Sequence, residues 1–249
     1  MNDKTKPVGR PVTARDRLIV ALDVPTAGEA MDLVRLLKDE AGLFKVGMQL
    51  FYGAGPDIVR RIVNLGCRVF LDLKMHDIPN TVAAAAASLT GLGAAMFNVH
   101  AAGGWDMMGA AVRASEEAAK AANLHKPLIL GVTVLTSLGQ KDLNQEIGIP
   151  GPVEERVAAW ARLAQTAGLG GVVASPHEVQ AIRATCGPKF VIVTPGVRPA
   201  GVEPGDQKRV MTPGEAIREG ADYLVIGRPI IKAADPQQAA REIILQMEV

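Results

Sequence analysis

Within residues 69–81 an apolar run leads into Asp72, Lys74 and Asp77, an unusual ending for a strand. Side chains at i and i+2 of a strand share a face. Asp72 and Lys74 are therefore expected to project together, with Phe70 below them on the same face. Two carboxylates and an ammonium at one spot are costly to desolvate unless paired and hydrogen-bonded. That cost favours chemistry over stability as the reason for the cluster. The structural alternative is a solvated strand end with a surface ion pair, or a buried ion-pair network.

Lys45, on an earlier apolar run, extends the cluster to Lys45, Asp72, Lys74 and Asp77, two cations and two anions. Such a set compensates itself and can stay ionised in a dry site. A substrate carboxylate set against Asp72 is repelled, and loss of carbon dioxide relieves the repulsion. Lys74 then faces the carbanion left behind, where an ammonium stabilises developing negative charge and can donate a proton.

A second constellation suits phosphate. Gly227-Arg228-Pro229 follows the last apolar run, where backbone N–H groups opening a helix meet an anion and Arg228 adds a bidentate clamp. Pro195-Gly196-Val197-Arg198-Pro199 follows the run before it, and Gly205-Asp206-Gln207 sits in a Gly- and Pro-rich loop able to fold over a ligand. His76 beside Asp77 is a weaker candidate, because neighbours in an extended segment point apart. His100 reads as support for the site, and Met107 and Met108 read as helix core. Gly103-Gly104 lacks the rest of a dinucleotide fingerprint.

These residues need a scaffold that gathers them. Apolar or β-branched runs recur at 18–22, 44–47, 69–74, 96–99, 128–134, 171–174, 190–193 and 223–226. Segments of helical apolar spacing separate them, for example Ala30, Leu33, Val34 and Leu37. Thr26/Glu29, Ser175/Glu178 and Thr212/Glu215 fit capping boxes, and Pro56, Pro176, Pro213 and Pro236 suit a first helical position. Eight strand-then-helix units predict a single (β/α)8 TIM barrel, with a doubly wound open sheet as the alternative. Polar residues at the ends of the runs favour the barrel: Asp23, Lys45, Asp72, Lys74, His100, Thr136, Ser175, Thr194 and Gly227 would converge on one mouth. That mouth, at the C-terminal ends of the strands, is where barrel active sites are built. The longer loops 137–151 and 195–211 should overhang it.

Composition sets outer bounds. At 249 residues the chain suits one barrel domain, expected over 17–249 after a flexible extension at 1–16. With 48% hydrophobic but only 4% aromatic residues, the core must come from Ala, Val, Leu and Ile, as in a parallel sheet covered by helices. A net charge of +1 leaves no broad footprint for nucleic acid or an acidic membrane, so a small-molecule partner is expected. Residues 1–15 carry no apolar signal stretch and nothing later approaches a membrane span, which predicts a cytoplasmic protein. Cys67 and Cys186 lie far apart, without metal-ligand spacing, and read as buried small hydrophobes.

Along nearly its whole length the chain resembles the bacterial type of the orotidine 5′-phosphate decarboxylase family. The matching motifs occur in order: Ala21-Leu22-Asp23, Phe44-Lys45-Val46-Gly47, the run from Phe70 to Thr81, the run from Asn98 to Gly104, the run from Val132 to Ser137, the run from Thr194 to Pro199, Gly205-Asp206-Gln207 and Ile226-Gly227-Arg228-Pro229. Asp72-x-Lys74-x-x-Asp77 alone is less specific, because related phosphosugar decarboxylases share it. Lys45 and the run from His76 to Thr81 are more diagnostic.

The resemblance implies cofactor-independent decarboxylation of orotidine 5′-monophosphate to UMP and carbon dioxide, the last step of de novo UMP synthesis. It also implies a homodimer in which Asp77 and Thr81 reach the partner's site. Lys74, Asp72, Asp77 and Lys45 match catalytic positions. Asp23 and Lys45 match ribose-binding positions, Thr136 lies at the pyrimidine, and Arg198, Gln207, Gly227 and Arg228 match the phosphate site, with Gln207 also reaching toward the base. A magnesium-dependent keto-sugar-phosphate decarboxylase would typically carry a glutamate where this chain has Lys45. A barrel that binds UMP without turnover would have no need of Lys74.

Overall fold

The computed structural model describes residues 8–199 and 211–248. Eight parallel strands close into a barrel in sequence order: β1 (Leu18–Ala21), β2 (Leu43–Gly47), β3 (Val69–Met75), β4 (Met96–His100), β5 (Leu128–Val132), β6 (Gly171–Val173), β7 (Val191–Pro195) and β8 (Tyr223–Ile226). β8 pairs with β1 through Ile19↔Val225 and so closes the sheet, which rules out the open doubly wound arrangement.

Eleven α-helices surround or cap the barrel among the described residues: α1 (Ala14–Arg17), α2 (Ala27–Leu37), α3 (Met48–Ala54), α4 (Asp57–Asn64), α5 (Pro79–Gly91), α6 (Gly104–Ala121), α7 (Val153–Thr166), α8 (Val179–Cys186), α9 (Pro213–Arg218), α10 (Arg228–Ile231) and α11 (Pro236–Gln246). Their starts follow the expected chemistry, with local differences. Thr212 and Glu215 form the full reciprocal capping box before α9. At α2 only the Thr26 hydroxyl accepting from Glu29 N–H is made. Pro56 is the residue before α4 and not its first. The 137–151 loop contains one π-helical turn, Asp142–Glu146, pinned where Asp142 accepts from Gly139 N–H. Met107 and Met108 are buried in α6; Cys67, before β3, and Cys186, at the end of α8, are buried too. No helix among the described residues is long and apolar enough to cross a membrane.

The two faces of the sheet bury two separate apolar clusters. Outward side chains such as Leu18, Val20, Phe44, Val69, Leu71 and Phe97 pack under the helices. Inward ones form a smaller core of Ile19, Ala21, Leu43, Phe70, Met96, Leu130, Val191, Val193, Tyr223 and Val225. Because strand side chains alternate, this inner set fixes what stands above it. Two residues on from Leu43 is Lys45, from Phe70 is Asp72, from Met96 is Asn98, and from Ala21 is Asp23. Phe70, fully buried beneath the charges, contributes roughly 1.5–3 kcal/mol as an apolar floor. The same parity corrects one expectation. Thr194 lies between inward Val193 and Pro195, so it faces outward under the helices and is fully buried away from the mouth.

Residues 8–16, read from the sequence as part of a flexible extension, run across the opposite, N-terminal end of the barrel. Val8 packs on the inner cluster, and the Tyr223 hydroxyl donates to Gly9 O at 2.6 Å. Arg10 Nε meets the buried Asp222 carboxylate at 3.0 Å, and Arg17 donates to the carbonyls of Ala221 and Asp222. Asp222 also accepts from Arg183 at 2.5 Å and from Ile192 N–H at 2.9 Å. Gly42 is required here, since a Cβ would lie 2.4 Å from Asp16 O.

Candidate active site

At the C-terminal mouth the charges form a relay across three strands. Lys45 Nζ, on β2, is 2.9 Å from Asp23 Oδ1 and 3.7 Å from Asp72 Oδ2. Lys74 Nζ then meets the other oxygen, Asp72 Oδ1, at 2.7 Å. Lys45 is the most enclosed, with its side chain 10% exposed, whereas Asp23 is 53% exposed and faces the opening. Burial pushes the Asp72 carboxyl upward, but the ammonium groups of Lys45 and Lys74 outweigh it. With hydrogen bonds from Lys74 and Asn98 added, the carboxyl is held below its ordinary value. An anion is thus fixed at the centre of the site between two cations.

The i and i+2 rule gives the right contact by an irregular route. Lys74 has φ of 51°, in the left-handed region that non-glycine residues rarely adopt. The β3–β4 pairing passes from Leu71↔Phe97 to Met75↔Val99, so four steps along β3 answer two along β4. Lys74 therefore sits in a bulge. Such a backbone costs on the order of 1–3 kcal/mol, and here Asn98 Oδ1 accepts from Lys74 N–H at 2.8 Å. The Asn98 amide nitrogen also donates to Asp72 Oδ1 at 2.7 Å. Asn98 was visible in the sequence only as part of a motif, with no role assigned. The signal that finds it is parity, since it stands two residues above inward Met96 and is fully buried.

One grouping expected from the sequence is corrected. Within a single chain Asp77 does not join the cluster, whose fourth member is Asp23. β3 ends at Met75, and the chain turns outward through His76, Asp77 and Ile78 into α5, where Pro79 is the first helical residue. Asp77 is exposed, its carboxylate accepting from Ile78 N–H at 2.6 Å, and Thr81 is exposed on the first turn of α5. Ile78 beside them is 66% exposed and Tyr52, near the same rim, 72%.

The remaining candidates border the mouth. Thr136 is half-buried in the turn after β5. Arg198 is 8% exposed, with its N–H bonded to Met211 O at 3.0 Å where the ends of the 195–211 loop meet. Gln207, with Gly205 and Asp206, lies outside the described residues. Gly227 follows β8 beside the relay, where a Cβ would come 3.5 Å from Asp23 Oδ2, and Arg228 opens α10. At Gly47 a Cβ would come within 3.0 Å of Lys45 Nζ, so both glycines keep space beside the charges. His76 and His100 lie ring to ring, 5.4 Å apart. Burial lowers the His100 pKa and the neighbouring His76 and Lys74 lower it further, against a smaller opposing effect of Asp72.

A closed parallel barrel whose C-terminal mouth interleaves two ammonium groups with two carboxylates places this chain in the class of (β/α)8-barrel enzymes. Comparison with known proteins narrows the class. The chain belongs to the orotidine 5′-phosphate decarboxylase / HUMPS family, whose model matches residues 16–243. An orotidine 5′-phosphate decarboxylase from Moorella thermoacetica is 59% identical over 236 residues, covering 95% of this chain and 94% of that one. Another, from Syntrophotalea carbinolica, is 55% identical over 236 residues, covering 95% of this chain and 96% of that one. The crystal structure of the enzyme from Lactobacillus acidophilus superposes with a TM-score of 0.83 at 38% identity, covering 96% of this chain and all of that one.

Proposed function

We propose that this protein is an orotidine 5′-phosphate decarboxylase, a carboxy-lyase that converts orotidine 5′-monophosphate to UMP and carbon dioxide. The observation that carries the reading is the relay of Asp23, Lys45, Asp72 and Lys74 at the barrel mouth, in a chain of this family. The substrate's ring carboxylate comes against Asp72, an anion that its two lysines keep ionised. The carbon–carbon bond to that carboxylate breaks, carbon dioxide leaves and the electron pair stays on the pyrimidine carbon. The Lys74 ammonium stabilises that charge and transfers a proton to the carbon to give UMP. The neutral amine regains its proton from solvent.

The binding roles proposed are those that the resemblance to the family implies. Asp23, exposed at the mouth, and the enclosed Lys45 hydrogen-bonded to it hold the ribose hydroxyls. Thr136 meets the pyrimidine. Gly227, Arg228 and Arg198 take the phosphate, together with Gln207. A magnesium-dependent relative's site does not fit, because the Lys45 ammonium already stands between Asp23 and Asp72 where a divalent ion would meet both. Orotidine 5′-monophosphate absorbance should fall on adding enzyme, at the same rate with and without EDTA. No loss of absorbance would overturn the function, and loss abolished by EDTA would overturn the metal-free site.

The exposed turn bearing Asp77, Ile78 and Thr81 supports a homodimer in which Asp77 and Thr81 of one subunit complete the site of the other. Mixing inactive Lys74→Ala with inactive Asp77→Ala should then restore activity, because one of the two sites in a hybrid dimer carries neither lesion. Full exchange of two symmetric subunits gives about a quarter of wild-type activity. If mass measurements establish exchange and activity stays at background, Asp77 does not act across subunits.

A further inference from the structure

We infer that Asn98 is a positioning residue for the decarboxylation: its side-chain amide ties the Asp72 carboxylate and the Lys74 backbone into one unit, so that the Lys74 ammonium is held at a fixed place over the reacting carbon. The inference rests on the reading of Lys74 as the proton donor and goes beyond it.

Asn98 is fully buried, the third inward position of the mouth beside Lys45 and Asp72. Its two amide ends serve two different groups, Oδ1 accepting from Lys74 N–H at 2.8 Å and Nδ2 donating to Asp72 Oδ1 at 2.7 Å. Both partners have a specific need. The Lys74 amide lies in the bulge, where the β3–β4 ladder is out of step, so an acceptor must come from a side chain. Asp72 Oδ1 takes two donors, Lys74 Nζ and Asn98 Nδ2, each at 2.7 Å, and these fix the rotation of the carboxylate. The same oxygen therefore links the head of the Lys74 side chain, through Asn98, to the Lys74 backbone. That closed circuit holds a flexible four-carbon chain at both ends.

Residue type matters as much as position. Asparagine is neutral and offers a donor and an acceptor at once. Aspartate at this place would keep the acceptor but set a second carboxylate against Asp72. An apolar residue would leave both partners buried without their bonds. The groups facing Asp72 are Lys45 from β2, Lys74 from its own strand, Asn98 and, one inward position higher, His100 from β4, with Asp23 beyond Lys45 and His76 beside His100. Asn98 is thus a neutral donor to Asp72 among charged and titrating neighbours.

The test uses full-length enzyme and orotidine 5′-monophosphate, with kcat, KM, UMP affinity and Tm measured for Asn98→Ala, Asn98→Asp and, in parallel, Lys74→Ala. Misplacing a catalytic group by about 1 Å costs ~10²-fold, and Asn98→Ala should lose about that much in kcat. UMP affinity should hold within about threefold, because binding rests on groups that Asn98 does not touch. The acid limb of the kcat profile should also move to higher pH, since Asp72 loses a bond that favours its charged form. Asn98→Asp, matched in volume, carries the test if the alanine variant does not fold. Its kcat should be low at neutral pH and recover toward acid, where the new carboxyl is protonated and can donate to Asp72. Asn98→Ala turnover within about threefold of wild type would overturn the proposal. So would a fall in kcat matched by UMP affinity and Tm with the acid limb unmoved, the pattern of a structural role. If Lys74→Ala itself keeps turnover, the reading of Lys74 has failed and the inference falls with it, a result the parallel measurement separates from failure at Asn98 alone.

Discussion

Lys74→Ala is expected to lower kcat by at least ~10⁴-fold while UMP still binds. A positioned general acid is worth ~10²- to 10⁴-fold, and removing one preorganised donor at a developing anion costs about 10²- to 10³-fold more. The barrel should tolerate the change. The Lys74 side chain is 27% exposed, Asp72 keeps Lys45 and Asn98 as partners, and alanine meets the same left-handed backbone that lysine already occupies. Single-turnover assays with isotopically labelled carboxylate, read beside a UMP titration, make the comparison direct. A variant retaining more than about a tenth of wild-type turnover would remove Lys74 from the role of proton donor.

Arg228→Ala should lower kcat/KM for orotidine 5′-monophosphate far more than for the phosphate-free nucleoside. Charge-assisted hydrogen bonds are worth roughly 1.5–3 kcal/mol each, or about 10- to 150-fold. Binding energy from a non-reacting phosphate can also be used at the reacting centre in the transition state, so part of the loss should appear in kcat. Added phosphite should partly restore turnover of the nucleoside by the wild type and much less by the variant. Equal fractional losses on both substrates would instead make Arg228 a support of the barrel rim beside Gly227.

Much of this site is legible in the sequence because a barrel strand has a period of two. Once Leu43, Phe70 and Met96 are known to face inward, Lys45, Asp72 and Asn98 must stand above them. Strand positions follow from eight β-branched runs, and the starts of α2 and α9 from Thr26 and Thr212, whose hydroxyls take up helix N–H groups. What escapes is what depends on departures from the period or on distant contacts. The bulge at Lys74 needs an acceptor 24 residues further on, and no local pattern announces it. Thr194 has the right residue type at a strand end but the wrong parity. Asp77 looks like a member of the cluster by spacing, yet the turn into α5 carries it outward. Residues 8–16 read as an extension because their composition is polar, while their anchors lie more than 200 residues away.

That last separation bears on how the molecule is made. Asp222 and Tyr223, which hold Arg10 and Gly9, are synthesised long after them. At roughly 5–20 residues per second, the separation of 212 positions between Arg10 and Asp222 corresponds to a wait of about 10–40 s. Throughout that interval Gly9 and Arg10 lack the partners that hold them across the N-terminal end of the barrel. Closure of β8 on β1 and latching of the segment then depend on the same stretch of chain, residues 222–226. Until that stretch is made, neither the closing seam of the barrel nor the latch can form.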